Sequence, residues 1–130
     1  MSIPCTISGE VVRGNRIGRK LGFPTANLRL GVNDSTMDGV YAVHAWVDGQ
    51  QLNGVASVGN RPTVTDNPER YLEVYLFDFD MDIYGKTIDV ELVAFLRPEQ
   101  KFDSVEALRE QIERDKIQAE LFLKNQRHFL

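Results

Sequence analysis

The chain has 130 residues, 42% of them hydrophobic and 26% charged, with a formal net charge of −4. That composition suffices for one domain with a real core, and its acidic balance argues against a duplex nucleic-acid partner, which favours basic surfaces. A single cysteine, Cys5, excludes an internal disulfide and points to a reducing, cytoplasmic compartment, while the lack of any long apolar run argues against a membrane span or a signal peptide.

Taken in chain order, residues 6–13 form the first candidate strand. The first thirty positions carry Arg13, Arg16, Arg19, Lys20 and Arg29 against one acid, Glu10. Such a local positive patch suits a small anionic ligand; scattered surface charge is the plainer alternative. Within it lies Gly18-Arg19-Lys20-Leu21-Gly22-Phe23-Pro24-Thr25-Ala26-Asn27-Leu28. Glycine lets main-chain N–H groups approach an anion without a Cβ in the way. Thr25 and Asn27 offer neutral oxygen ligands that share a face on a strand, and Mg²⁺ takes few protein ligands, completing its shell with water and phosphate oxygens. The same residues also suit an ordinary solvated loop. Neither the P-loop spacing nor Gly-x-Gly-x-x-Gly is present.

Val40–Val47 is β-rich and ends in Asp48-Gly49, a strong hairpin turn. Leu52–Val58 returns from it. Tyr71–Phe77 is a further strand, with Glu73 sharing a face with Tyr71 and Tyr75 while Leu72, Val74 and Leu76 take the other. A glutamate between aromatics can serve as a general base, or it is a carboxylate on a half-exposed strand. Phe77–Asp82 reads as a polar loop, Tyr84-Gly85-Lys86 as a turn, and Ile88–Leu96 as the last strand. Five or six strands joined by tight turns pair antiparallel and suggest a small barrel.

The C-terminal end changes period. Asp103-Ser104-Val105-Glu106 has the form of a capping box with Asp103 at the N-cap. Val105, Leu108, Ile112, Ala119 and Phe122 recur at helical spacing, so a helix over about 104–123 is expected to pack against the barrel. Asp115 falls on that stripe and is read as a hydrogen-bonding residue at the seam, because a buried carboxylate without partners is costly.

Several segments together resemble the riboflavin kinase family. They are Gly9–Gly14 and Gly18–Leu28, Asp38–Ala42, Gly54–Thr63, Leu72–Phe79, and Leu96–Ser104, in the family's order and spanning about residues 7–115. The Pro24-Thr25-Ala26-Asn27 tetrad is the most specific piece. The resemblance implies a mainly β fold, a six-stranded antiparallel Greek-key barrel with a C-terminal α-helix, as one domain over 1–130. It implies transfer of the γ-phosphate of ATP to the terminal ribityl hydroxyl of riboflavin, giving FMN and ADP. Thr25 and Asn27 would then hold Mg²⁺ and the phosphates. Gly14, Gly18, Arg19 and Lys20 would line the ATP loop, with Leu76 and Asp78 bordering the nucleotide. Glu73 would be the catalytic base, and Arg97, Phe102 and Asp103 would contact the flavin. The loops at Asn33–Gly39 and Arg97–Asp103 are expected to close over the ligands.

Two features depart from the family pattern. Tyr75 stands where many relatives carry histidine. Many bacterial relatives also carry an FAD-synthetase (adenylyltransferase) domain in front; these 130 residues have no room for it, so the chain is expected to be either a single-domain enzyme or a module of a longer protein. No nucleic-acid or membrane partner is expected. A non-catalytic flavin- or nucleotide-binding barrel would leave the tetrad and Glu73 without a task, and an oligonucleotide-binding barrel calls for a basic groove.

Overall fold

A computed structural model describes residues 3–12, 25–31, 34–61, 69–79 and 81–126, with backbone only at 61, 125 and 126. Its strands are β1 (Cys5–Val12), β2 (Thr25–Arg29), β3 (Gly39–Val47), β4 (Gln50–Arg61), β5 (Glu69–Leu76) and β6 (Thr87–Arg97), followed by helix α1 (Val105–Gln126). The strands close into a barrel in the order β1-β2-β5-β4-β3-β6, and every pair is antiparallel. Strand β6 returns beside β3 after the β3-β4-β5 meander, which is the Greek-key arrangement. The expected barrel and C-terminal helix are therefore present.

Alternation builds the interior. Leu28 on β2, Val43 on β3, Val58 on β4, Leu72 and Val74 on β5 and Val90 on β6 belong to one buried cluster, each flanked in the chain by residues on the opposite face. Tyr41 is fully buried there and donates its hydroxyl to the Met37 carbonyl at 2.5 Å. The Asp48-Gly49 turn joins β3 to β4 with both residues at positive φ, 51° and 81°, as a tight hairpin requires. Strand β4 is longer than the expected 52–58. It pairs with β3 along its first part and with β5 from Gly54 to Arg61, so its length follows from two partners, not from its own composition.

The outer wall of β3, β4 and β6 is covered by α1. Ala42, Val55, Phe77, Val93 and Ala94 form a second buried cluster with Ala119 and Leu123 of the helix. Small residues at Ala42, Ala94 and Ala119 let the helix lie close to the strands. Strand β3 is thus covered on both faces, which explains its nearly continuous apolar run.

Two helix expectations need correction. The N-cap is Ser104, not Asp103: the Ala107 amide donates to the Ser104 hydroxyl at 3.1 Å and the Leu108 amide to the Ser104 carbonyl at 3.2 Å. With Val105 as the first helical residue, Glu106 falls one position short of closing a capping box. The buried face runs through Asp115, Ala119 and Leu123, whereas Val105 is 60% and Phe122 42% exposed. Steps of four along 115, 119 and 123 follow the helical period past Phe122 and bring Leu123 inward.

Arg70, on β5, ties down the connection ahead of β3. Its guanidinium donates to the Asp34 carbonyl at 3.0 Å, to the Thr36 carbonyl and to Asp38 Oδ1 at 2.6 Å. No described helix is long and apolar enough to cross a membrane.

Candidate active site

Strand alternation turns Thr25 and Asn27 outward from the barrel, since Ala26 and Leu28 point into the core. The same rule turns Tyr71, Glu73 and Tyr75 outward between Leu72, Val74 and Leu76. Register then decides who meets whom. Asn27 pairs with Glu73 across β2 and β5, and Thr25 pairs with Tyr75. Glu73 in turn pairs with Ser57 of β4. Directly opposed side chains on one face of an antiparallel pair have Cβ atoms about 4.5–5.5 Å apart. A row Asn27–Glu73–Ser57 therefore crosses three strands, with Thr25 and Tyr75 as the next row. Asn27 is 3% exposed, so its carboxamide is oriented by its surroundings and not by bulk water.

One flank of this ledge is the helix seam. Tyr75 packs edge-on against Phe77, with ring centroids 5.5 Å apart at 67°, and Lys116 Nζ lies 5.5 Å from the Phe77 ring centre. Burial pushes the Tyr75 hydroxyl above its ordinary value, with Lys116 pulling the other way. Tyr75 therefore stays neutral around pH 7 and offers a hydroxyl, not a charge.

The end of β6 and the segment after it supply a second flank. Arg97 donates to both oxygens of Asp115, Nε to Oδ1 at 2.9 Å and Nη2 to Oδ2 at 2.8 Å. Gln111 adds a bond to the same carboxylate at 3.0 Å. Asp115 is 2% exposed, so this forked pair satisfies a carboxylate that would otherwise be prohibitively costly to bury. Arg97 also reaches the Pro98 carbonyl at 3.1 Å and sits 5.8 Å from the centre of the Phe102 ring, a cation–π distance. One residue past Pro98, Glu99 Oε1 accepts from the Ser57 hydroxyl. The Glu99 side chain runs on along β4, lying 3.6 Å from where a Cβ on Gly59 would be.

Of the expected site residues, Thr25, Asn27 and Glu73 share one face. Arg97 and Phe102 stack together at the helix seam. Leu76 points into the barrel core, so only its backbone is available to a ligand on the Glu73 face. Asp78 is exposed at φ 54° in the turn after β5, and Asp103 is exposed just before the helix. Gly14, Gly18, Arg19 and Lys20 lie outside the described residues. The sequence does not single out Ser57 or Glu99. A lone serine on a strand and a glutamate after a proline carry no local signal; the β4–β5 register sets Ser57 opposite Glu73, and the hydrogen bond from Ser57 brings in Glu99.

Among the described residues no group of three or more His, Cys, Asp or Glu side chains could hold a metal. The donor set on the ledge is of another kind: one hydroxyl, one buried carboxamide and one neighbouring carboxylate. Hard oxygen donors in small number are what Mg²⁺ accepts when phosphates complete its shell, so Thr25 and Asn27 fit that ion.

Fold and ledge define a class: a small closed antiparallel barrel carrying a hard-oxygen ligand pair beside a carboxylate on its outer wall. The family model Flavokinase, described as riboflavin kinase, matches residues 1–123, and the chain belongs to the riboflavin kinase family. It is 47% identical over 109 residues to "RNA-binding riboflavin kinase RibR" of Bacillus subtilis, covering 84% of this chain and 47% of that protein. It is 47% identical over 120 residues to the bifunctional riboflavin kinase/FMN adenylyltransferase of Escherichia coli K12, covering 92% of this chain and 38% of that protein. The chain thus spans less than half the length of these curated relatives. A crystal structure named as a macrolide-efflux protein from Streptococcus pneumoniae superposes with TM-score 0.75 at 42% identity, over 87% of this chain and 37% of that one. Riboflavin kinase from Trypanosoma brucei shares the fold, with TM-score 0.64 at 23% identity over 92% and 79% of the two chains.

Proposed function

We propose that this chain catalyses ATP-dependent phosphorylation of riboflavin, forming FMN and ADP. The observation that carries the proposal is the register of Asn27 against Glu73, with Thr25 on the same face, in a chain of this family. The terminal ribityl oxygen attacks the γ-phosphorus. A new P–O bond forms, the bond to the β–γ bridging oxygen breaks, and ADP leaves with that electron pair. Glu73 accepts the proton of the attacking alcohol, which is a poor nucleophile while protonated. Thr25 and Asn27 would hold Mg²⁺ and the phosphates on the β2 side of Glu73, leaving the β4 side for the acceptor. When bound, Mg²⁺ supplies neutralisation of charge across the β- and γ-phosphates. Arg97 and Phe102 offer the isoalloxazine a flat partner at the helix seam, since offset stacking suits an extended ring. The lone Cys5 fits a cytoplasmic setting.

Incubation with riboflavin, ATP and Mg²⁺, followed by chromatography, should show FMN. Glu73→Gln should lower kcat by about 10²–10⁴-fold, the usual contribution of a positioned general base, with ATP binding retained. Normal turnover by Glu73→Gln would remove Glu73 from the chemistry. Flavin or nucleotide binding by the wild type without any FMN would leave a non-catalytic binding barrel.

A further inference from the structure

Ser57 stands opposite Glu73 in the β4–β5 register, on the side away from Asn27. Its hydroxyl proton is committed to Glu99 Oε1, so what Ser57 presents outward is lone pairs. Glu99 accepts that one bond and keeps further acceptor capacity, because a carboxylate offers about four lone-pair sites. The glutamate lies along β4 between Ser57 and Gly59, on the outer wall of the barrel. Arg97, two residues earlier in the chain, is itself held by the Asp115 carboxylate of the helix. Next to the proposed base, then, the wall shows a pair of groups that accept hydrogen bonds and have no spare donor.

We infer that Ser57 and Glu99 form a hydroxyl-reading subsite that selects a polyhydroxylated chain, and not a plain alkanol, as the phosphate acceptor. The inference rests on the proposed role of Glu73. Neighbouring strands are about 4.8 Å apart, a distance a few C–C bonds span. An acceptor whose terminal hydroxyl meets Glu73 brings a secondary hydroxyl within reach of Ser57 and Glu99. Secondary hydroxyls donate into these acceptors, whereas a methylene there would strand Ser57 and Glu99 without their water partners. Sites built to bond a hydroxyl discriminate strongly against analogues lacking it.

The test uses the full chain with ATP and Mg²⁺ and two acceptors: riboflavin, and an isoalloxazine whose side chain is hydroxypentyl, which keeps the terminal hydroxyl and lacks the secondary ones. The ratio of kcat/KM between the two acceptors should favour riboflavin in the wild type. Ser57→Ala and Glu99→Ala should each shrink that ratio about tenfold, the rate equivalent of one lost hydrogen bond to a charged group. Ser57→Thr, which keeps the hydroxyl, should restore most of it. Equal losses on both acceptors in the alanine variants would mean a merely structural role and overturn the subsite. A wild type that phosphorylates neither acceptor would remove the proposed function and the subsite with it, whereas wild-type turnover with an unchanged ratio in the variants removes the subsite alone.

Discussion

Removing the Asp115 carboxylate tests whether one buried ion pair holds the helix to the end of β6. Asp115→Ala deletes the acceptor of two Arg97 bonds and one Gln111 bond. Breaking a buried pair by removing one partner costs about 3–5 kcal/mol, because the other charge is left uncompensated. Here the Arg97 side chain is 19% exposed and retains the Pro98 carbonyl and the Phe102 ring. The lower end, about 3 kcal/mol, is therefore expected. A domain of this size loses roughly 3–5 °C in Tm per kcal/mol, so Tm should fall by about 10 °C. Trp46, the only tryptophan, reports urea unfolding by fluorescence. The double-mutant cycle of Asp115→Ala with Arg97→Ala isolates the pair, and a coupling of about 1 kcal/mol or more is expected for groups in one network. A loss under about 1 kcal/mol for Asp115→Ala, together with coupling near zero, would refute the idea that this fork fastens the seam.

Further expectations concern the metal, pH and packing. Thr25→Ala and Asn27→Ala should each raise the Mg²⁺ concentration for half-maximal FMN formation by at least the roughly tenfold that losing an outer-shell partner costs; an unchanged metal response would put the cation elsewhere. Tyr75 and Tyr41 have folded values raised above the ordinary 10.0, chiefly by burial. Above about pH 10 the unfolded chain loses these protons first, so stability held below that pH declines as pH rises toward the folded values. Tyr75→Phe should flatten that decline in urea titrations between about pH 9 and 11, and an unaltered slope would exclude Tyr75 as a source. A Cβ on Gly54 would run into the Tyr75 carbonyl oxygen, so Gly54→Ala should force β4 from β5 and cost about 1–3 kcal/mol, read as a lowered Tm by circular dichroism; an unchanged Tm would show that the strands yield freely there.

Period-two alternation is a local property. It places Glu73 on the face of Tyr71 and Tyr75 and turns Leu72, Val74 and Leu76 to the other. The Asp48-Gly49 hairpin was equally legible, since tight turns depend on the two residues that adopt positive φ. Strand runs joined by tight turns suggested a small barrel of five or six strands, and the family likeness narrowed that to six. Helix phase was only partly legible: the spacing of Val105, Leu108 and Ile112 announced a helix, but which turn caps it and which residue ends its buried face depend on where it meets the wall. For Asp115 the sequence supplied the need for a partner, because burying a lone carboxylate is costly, and the fold chose Arg97. Asn27, Glu73 and Ser57 became one row only through strand register, a relation among residues 16 and 46 positions away from Glu73. Glu99 joined them because β6 ends beside that row. Alternation and turn chemistry act over a few residues and so are written in the chain; pairing across a closed sheet is a collective minimum over every strand, and no short segment contains it.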